Sequence, residues 1–258
     1  MNSMISREQY VKEVNLDYTK SCNKDDYTIN LPFIKNFDRL SFHPKVTFII
    51  GENGSGKSTL LEAIAVKLGF NPEGGSSNFN FSTRKSHSRL HNFISIKRGN
   101  IKPKDEYFLR AESFYNVATA IEELDREAEE CGGYGKPIIS FFGGKSLHEQ
   151  SHGESFFTLL NKRFVGNGLY LLDEPEAALS PSRQMSMITR MHDLCSLNSQ
   201  FVIATHSPIL LAYPNSIIYQ VSDVGIKSVN YENTEHYQIT KSFLNKHEQM
   251  MSILIDDQ

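Results

Sequence analysis

The sequence predicts a mixed α/β fold with a mostly parallel core sheet, an N-terminal antiparallel β part and a helical subdomain inserted into the core. Three observations carry this reading. "VTFII", "LYLL" and "FVIA" are short continuous apolar runs, the texture of strands buried on both faces. "YVKEVNL" and "YTINL" alternate apolar and polar residues on either side of the turn-rich "DYTKSCNKDD", as half-buried antiparallel strands do. "ESFYNVATAIEELDREAEECGG" spaces Phe114, Val117, Ala118, Ile121 and Leu124 along one helical face, with acids outside and a glycine stop.

The chain has 258 residues, and its hydrophobic content of 39% is enough for one sizeable core, so residues 1–258 read as a single domain with its helical part over about 71–161. A formal charge of -3 gives no global attraction to polyanions, so any nucleic-acid contact has to be local. Cys22, Cys131 and Cys195 lie far apart without CxxC pairing, which predicts reduced thiols in a cytoplasmic protein. The opening "MNSMISREQYVKEV" lacks an apolar signal region, and no run is apolar for the length of a membrane span. A soluble protein is expected.

Taken in order, each buried run ends at a chemically suggestive place: "VTFII" at Gly51, "LYLL" at Asp173 and Glu174, "FVIA" at Thr205 and His206. Ligands of open α/β sheets bind beyond the carboxyl ends of strands, so these ends are expected to converge. The first opens "GENGSGKST", which fits G-x-x-x-x-G-K-[ST] with Gly51, Gly56, Lys57 and Ser58 in place. Asn53, Gly54, Ser55 and Thr59 complete the loop. Glycines let backbone N–H groups curl around phosphate oxygens, and the helix begun by "STLLEAIAVKLG" adds its dipole. Lys57 bridges β- and γ-phosphates and Ser58 ligates Mg²⁺. A guanine reader of the N-K-x-D type is absent, since "NKRF" has Phe164 at its last position, so ATP is the expected nucleotide.

The second run delivers adjacent acids whose roles differ. Asp173 is expected to hold Mg²⁺ through water, and Glu174 to orient or deprotonate the attacking water. His206, one residue past a strand end, is a candidate γ-phosphate contact.

At this point the residues resemble the ABC-type ATPases over essentially the whole chain: a phosphate loop, a Walker B strand ending at Asp173 and Glu174, "ALSP" in the place of the D-loop and His206 as switch histidine. "QSHGE" occupies the place of the signature, with Glu154 giving the acidic ending often seen in the SMC-like branch. The resemblance implies that Ser151, His152, Gly153 and Glu154 form a phosphate receptor at the start of the helix "ESFFTLLNKRF", with Ser151 and Gly153 gripping the nucleotide of a second copy in an ATP-sandwich homodimer. It is similar to a compact group of stand-alone bacterial ATPases, which implies a switch acting on nucleic acid or a protein partner in the manner of SMC-like repair or phage-defence ATPases. The alternative is the nucleotide-binding subunit of a transporter.

Several readings stay open. His152 replaces a signature glycine and either touches phosphate or fills space. No glutamine lies between the phosphate loop and Gln150, so the usual Q-loop ligand is missing. Glu112 is the candidate replacement at Mg²⁺ or its water, with helix capping as the other role open to it. Phe33, Phe37 and Phe42 are equal candidates for stacking on adenine. The run from Arg84 to Lys104 holds Arg84, Lys85, Arg89, Lys97, Arg98, Lys102 and Lys104 without an acid, which reads either as a polyanion contact or as a solvated face.

Overall fold

The computed structural model describes residues 9–17, 31–76, 88–132, 136–146, 148 and 152–255. Its centre is a six-stranded sheet of order β5-β6-β7-β3-β8-β9. The strands are β3 (Val46–Gly51), β5 (Asp105–Arg110), β6 (Gly168–Asp173), β7 (Gln200–Ala204), β8 (Ile217–Ser222) and β9 (Gly225–Val229). All neighbours are parallel except β8 and β9, which form an antiparallel hairpin. A second, antiparallel sheet of order β2-β1-β4 joins β1 (Val11–Leu16), β2 (Arg39–Ser41) and β4 (Ile94–Arg98).

The continuous apolar runs are explained by the two cores they separate. Val46, Phe48, Ile50, Tyr170, Leu172, Phe201 and Ile203 face one core, with helices α2 (Phe114–Glu130) and α4 (Pro181–Ser196). Ile49, Leu169, Leu171, Val202 and Ala204 face the other, with helix α1 (Lys57–Leu68) and the antiparallel sheet. Successive side chains of a strand point to opposite faces, so a strand covered on both sides needs apolar residues at every position.

Two expectations need correction. The stretch 71–161 is not wholly helical: β4 joins the antiparallel sheet and β5 is an edge strand of the core sheet, so the helical part begins at α2. "YFL" within β5 is a fourth short apolar run, and burial of Tyr107, Phe108 and Leu109 makes it a core strand. Leu124 is 40% exposed although Phe114, Val117, Ala118 and Ile121 are buried, because α2 leaves the core after Ile121 and its last turns meet solvent. Expected strand "YTINL" falls almost entirely outside the described residues. The "ESFFTLLNKRF" helix is α3 (His152–Thr158) followed by a π turn over Leu159–Arg163.

The two sheets are clasped by one side chain. Gln200, fully buried at the start of β7, accepts from the backbone N–H groups of Tyr10 and Val11 at 3.0 and 2.9 Å and donates to the carbonyls of Val11 and His43 at 2.8 and 3.0 Å. An amide is the one short neutral group that offers two acceptor sites and two donors, so it satisfies the backbone at the start of β1 at a depth without water. Gln200→Ala should therefore orphan two buried N–H groups and lower folding stability by about 2–4 kcal/mol. Denaturant unfolding measures the loss, and amide exchange should quicken first in β1.

Candidate active site

Parallel pairing of β6, β7 and β3 fixes the convergence the sequence anticipates. Leu172 lies opposite Ile203, Asp173 opposite Ala204, and Ile49 opposite Ala204 across the next ladder, so the three carboxyl ends stand side by side. Beyond β3 the loop reaches α1 through Gly51, Gly54 and Gly56. Gly54 and Gly56 have φ of 79° and 96°, and a Cβ on Gly56 would come within 2.5 Å of the Phe33 ring. No side chain caps α1 and its first turn carries no acid, which leaves its leading N–H groups directed outward. The Ser55 hydroxyl is buried without a partner among the described residues. These features suit a phosphate group, as does the open cavity of about 430 Å³ bordered by Asn53, Gly54, Ser55, Gln220, Ser222 and Asp223.

Lys57 folds back to donate to the carbonyl of Glu52 at 2.8 Å. Burial draws its pKa down, and Glu174, Asp173 and Glu176 partly oppose that. Ser58 donates to Asp173 at 3.0 Å, joining the two residues expected at Mg²⁺, and Thr59 follows in the first turn, half-buried. Asp173 is pushed up to about 6, mainly by burial; Arg110 and Ser58 pull it down while Glu174 and Glu112 add to the rise. Burial outweighs Arg110 because the guanidinium is 3.8 Å from Asp173 and already committed to Glu62 at 2.6 Å. Glu174 stands at the end of β6 in the left-handed region, with φ 50° and ψ 52°, and is part-exposed toward the site. The other non-glycine residues with positive φ among those described, Asn167, Asn198 and Asn215, are all asparagine, the side chain that best tolerates it.

His206 Nε2 lies 3.6 Å from Glu174 Oε1. Burial, then Lys57, lowers its pKa and Glu174 opposes them, so the ring is held neutral at physiological pH. Glu112 is largely exposed but tied to Arg110 at 3.5 Å, one step from Asp173. It caps nothing: Ser113 precedes α2, and its hydroxyl bonds to the Glu73 carbonyl. Gly153 packs against Ala178 and Arg183, where a Cβ would approach both within 2.7 Å. Glu154 borders a separate open cavity of about 920 Å³ with Lys145, Thr158, Lys162 and Arg183, and no described phosphate-loop residue lines it. Ser151 and the side chain of His152 lie outside the described part. Phe33, Phe37 and Phe42 are all buried in the core, so none presents a face for stacking in this conformation.

Sequence reasoning missed four site residues. Arg110 ends β5 in register with Asp173 and bridges Glu62, Glu112 and Asp173. The pattern "YFLR" repeats the apolar-run-then-charge signal, and was obscured by assigning it to the helical part. Glu62 is the buried acid of α1. Glu176 accepts from the backbone N–H of His206 at 2.5 Å and so anchors the loop that carries it. His236, in helix α6 (Glu235–Asn245), meets His206, and nothing in "NTEHYQ" signals it.

Two family descriptions match the chain: "AAA domain" over residues 30–139, and "AAA domain, putative AbiEii toxin, Type IV TA system" over residues 154–212. The chain is 24% identical to the "Tungstate uptake system ATP-binding protein TupC" of Campylobacter jejuni, a match covering 77% of this chain and 65% of that protein, so it spans less than two thirds of that relative. It is 29% identical to the "Putative ABC transporter ATP-binding protein TTE0246" of Caldanaerobacter subterraneus, over 70% of this chain and 77% of that one. Its fold matches a structure described as "An inward-facing conformation of a putative metal-chelate type ABC transporter", with a TM-score of 0.50 and 17% identity, over 90% of this chain and 88% of that chain. These matches make the chain similar to ATP-binding proteins of the AAA and ABC types. Among the described residues, no helix is long and apolar enough to cross a membrane.

Asp173 binds its proton more tightly folded than unfolded, so its ionisation costs stability as pH rises from the ordinary 3.8 through about 6, and the cost is absent below that window. A displacement of that size corresponds to about 3 kcal/mol, of which a neutral asparagine recovers part. Asp173→Asn should raise the Tm at pH 7.5 by about 2–4 °C, equivalent to about 1 kcal/mol. The gain should shrink as pH falls through that window and vanish only below about pH 3.5 in thermal scans across the titration range.

Proposed function

We propose that the chain binds Mg·ATP on its own phosphate loop and hydrolyses it to ADP and phosphate within an ATP-sandwich homodimer. The observation that carries the reading is the meeting of three strand ends, which sets Ser58 against Asp173 and Glu174 against His206. Lys57 and the first-turn N–H groups of α1 hold the β- and γ-phosphates. Ser58 and Asp173 would hold Mg²⁺, which when bound neutralises phosphate charge, with Glu112 as the further oxygen ligand in place of a Q-loop glutamine. Glu174 takes the proton of the attacking water, and His206 donates to the γ-phosphate. The receptor formed by Ser151, His152, Gly153 and Glu154 serves the second copy's nucleotide. The separation of the Glu154 cavity from the phosphate loop supports that use in trans.

On this reading ATP binding closes a cytoplasmic dimer and hydrolysis opens it, a switch acting on nucleic acid or a protein partner. The toxin–antitoxin description matched by residues 154–212 supports a defence role. Arg89, Arg98, Lys102 and Lys104 are exposed along the basic run and offer a local polyanion contact; Arg84 and Lys85 lie outside the described residues. The second reading, a transporter's nucleotide-binding subunit, is supported by the names of two relatives. ATPase assays with and without duplex DNA, single-stranded DNA and RNA separate the two. Stimulation by nucleic acid, falling steeply with salt, supports the switch, and copurification with a membrane subunit supports the transporter.

Glu174→Gln should retain ATP binding and lose about 100-fold or more in turnover, because the water loses its base while Lys57 still holds the phosphates. It should accumulate as an ATP-bound dimer in gel filtration. Equal, monomeric elution of wild type and mutant with ATP would remove the sandwich mechanism. Ser151→Arg tests the trans site: equilibrium ATP binding to the single copy should be unchanged, with dimerisation and turnover abolished. A large loss of affinity in the monomer would mean the signature acts in cis.

A further inference from the structure

His206 and His236 reach each other from distant segments, one following β7 and the other in the first turn of α6. Nδ1 of His206 is 2.9 Å from Nε2 of His236, and the rings are tilted at 55°. The outward nitrogens, His206 Nε2 and His236 Nδ1, are both buried without a hydrogen-bond partner among the described residues. His206 Nε2 faces Glu174 Oε1 at 3.6 Å.

A neutral imidazole carries one N–H, so two neutral rings joined nitrogen to nitrogen have two arrangements. If His206 donates from Nδ1, its Nε2 is a bare lone pair aimed at a carboxylate oxygen, and His236 Nδ1 is a buried orphan donor. Acceptor then opposes acceptor. If His236 donates from Nε2, His206 accepts at Nδ1 and carries its proton on Nε2, toward Glu174. The orphan is then an acceptor, the less costly kind. We propose that His236 is a positioning residue that fixes the tautomer of His206, so that its Nε2–H is presented to the γ-phosphate. Burial lowers the pKa of each ring, Lys57 adds to this at His206, and His206 and then Lys57 add to it at His236, consistent with a neutral pair. The inference rests on the reading of His206 as the phosphate contact, and it adds the group that decides which way that contact points.

The test has two arms. In the full chain labelled with ¹⁵N-histidine, long-range proton–nitrogen correlation should show a bare Nδ1 and a protonated Nε2 for His206, assigned by loss of its signals in His206→Gln. The opposite pattern overturns the proposal, whatever the ATPase activity. In the kinetic arm, His236→Gln keeps an N–H donor at the place of Nε2 and should retain turnover within about threefold, whereas His236→Leu removes the donor and should lose about tenfold in kcat with KM little changed. Equal kcat in both variants, whether retained or lost, would make His236 a packing residue and sink the idea. If wild type does not hydrolyse ATP, or His206→Ala keeps full turnover, the phosphate-contact reading fails instead, and the tautomer measurement still decides this one.

Discussion

The site depends on how one guanidinium is shared among buried acids. Arg110 ends β5 and reaches Glu62 on α1, Asp173 at the end of β6, Glu112 beyond its own strand and the carbonyl of Pro72. Glu62 and Asp173 are nearly inaccessible. Arg110 pairs directly with Glu62 and stands farther from Asp173, whose carboxyl burial pushes up to about 6. An incompletely neutralised carboxylate beside a serine hydroxyl is well matched to a divalent cation, which supplies the missing charge. A fully paired aspartate would compete with the metal for its own oxygen. The same arginine locks α1 to β5, so the helix that follows the phosphate loop is held by the residue that also faces Asp173, the proposed metal ligand.

Anchoring of the His206 loop is equally local. Glu176 receives the backbone of His206, and Ser207, next in the chain, donates to Gln184 of α4 at 2.6 Å. That helix starts beside Gly153, where Arg183 abuts the signature glycine. A continuous set of contacts therefore runs from His206 to the Gly153 face within one copy. On the proposed function, movement of His206 has a short mechanical route to the surface proposed to grip a second nucleotide.

Much of this was legible in the sequence, and for a physical reason. Strands buried on both faces have no polar freedom, so "VTFII", "LYLL" and "FVIA" announce themselves, and parallel pairing aligns their ends without further information. The phosphate loop, Asp173, Glu174 and His206 follow from that alignment. Glu112 stands near Asp173 through Arg110, which the sequence pattern did not single out. β5 was hidden because its apolar run is brief and follows a basic stretch. His236 and Glu176 were invisible for another reason: each acts through a contact between segments far apart in the chain or around a turn, and no periodicity records such a meeting. Phe33 shows the converse error, since an aromatic near a nucleotide loop is as readily its floor as its base-stacking partner, and here it packs beneath Gly56.

The left-handed backbone of Glu174 sets stability and activity against each other at a single position. A bulky residue in that conformation costs about 1–2 kcal/mol relative to a relaxed one, and glycine would occupy it freely. Yet the carboxylate adds little packing, being part-exposed. A selection for thermal hardiness alone would drift toward glycine here and yield a sturdier protein without the proposed base. Directed evolution of this chain for heat tolerance therefore needs turnover as a second criterion, or it will erode Glu174 first.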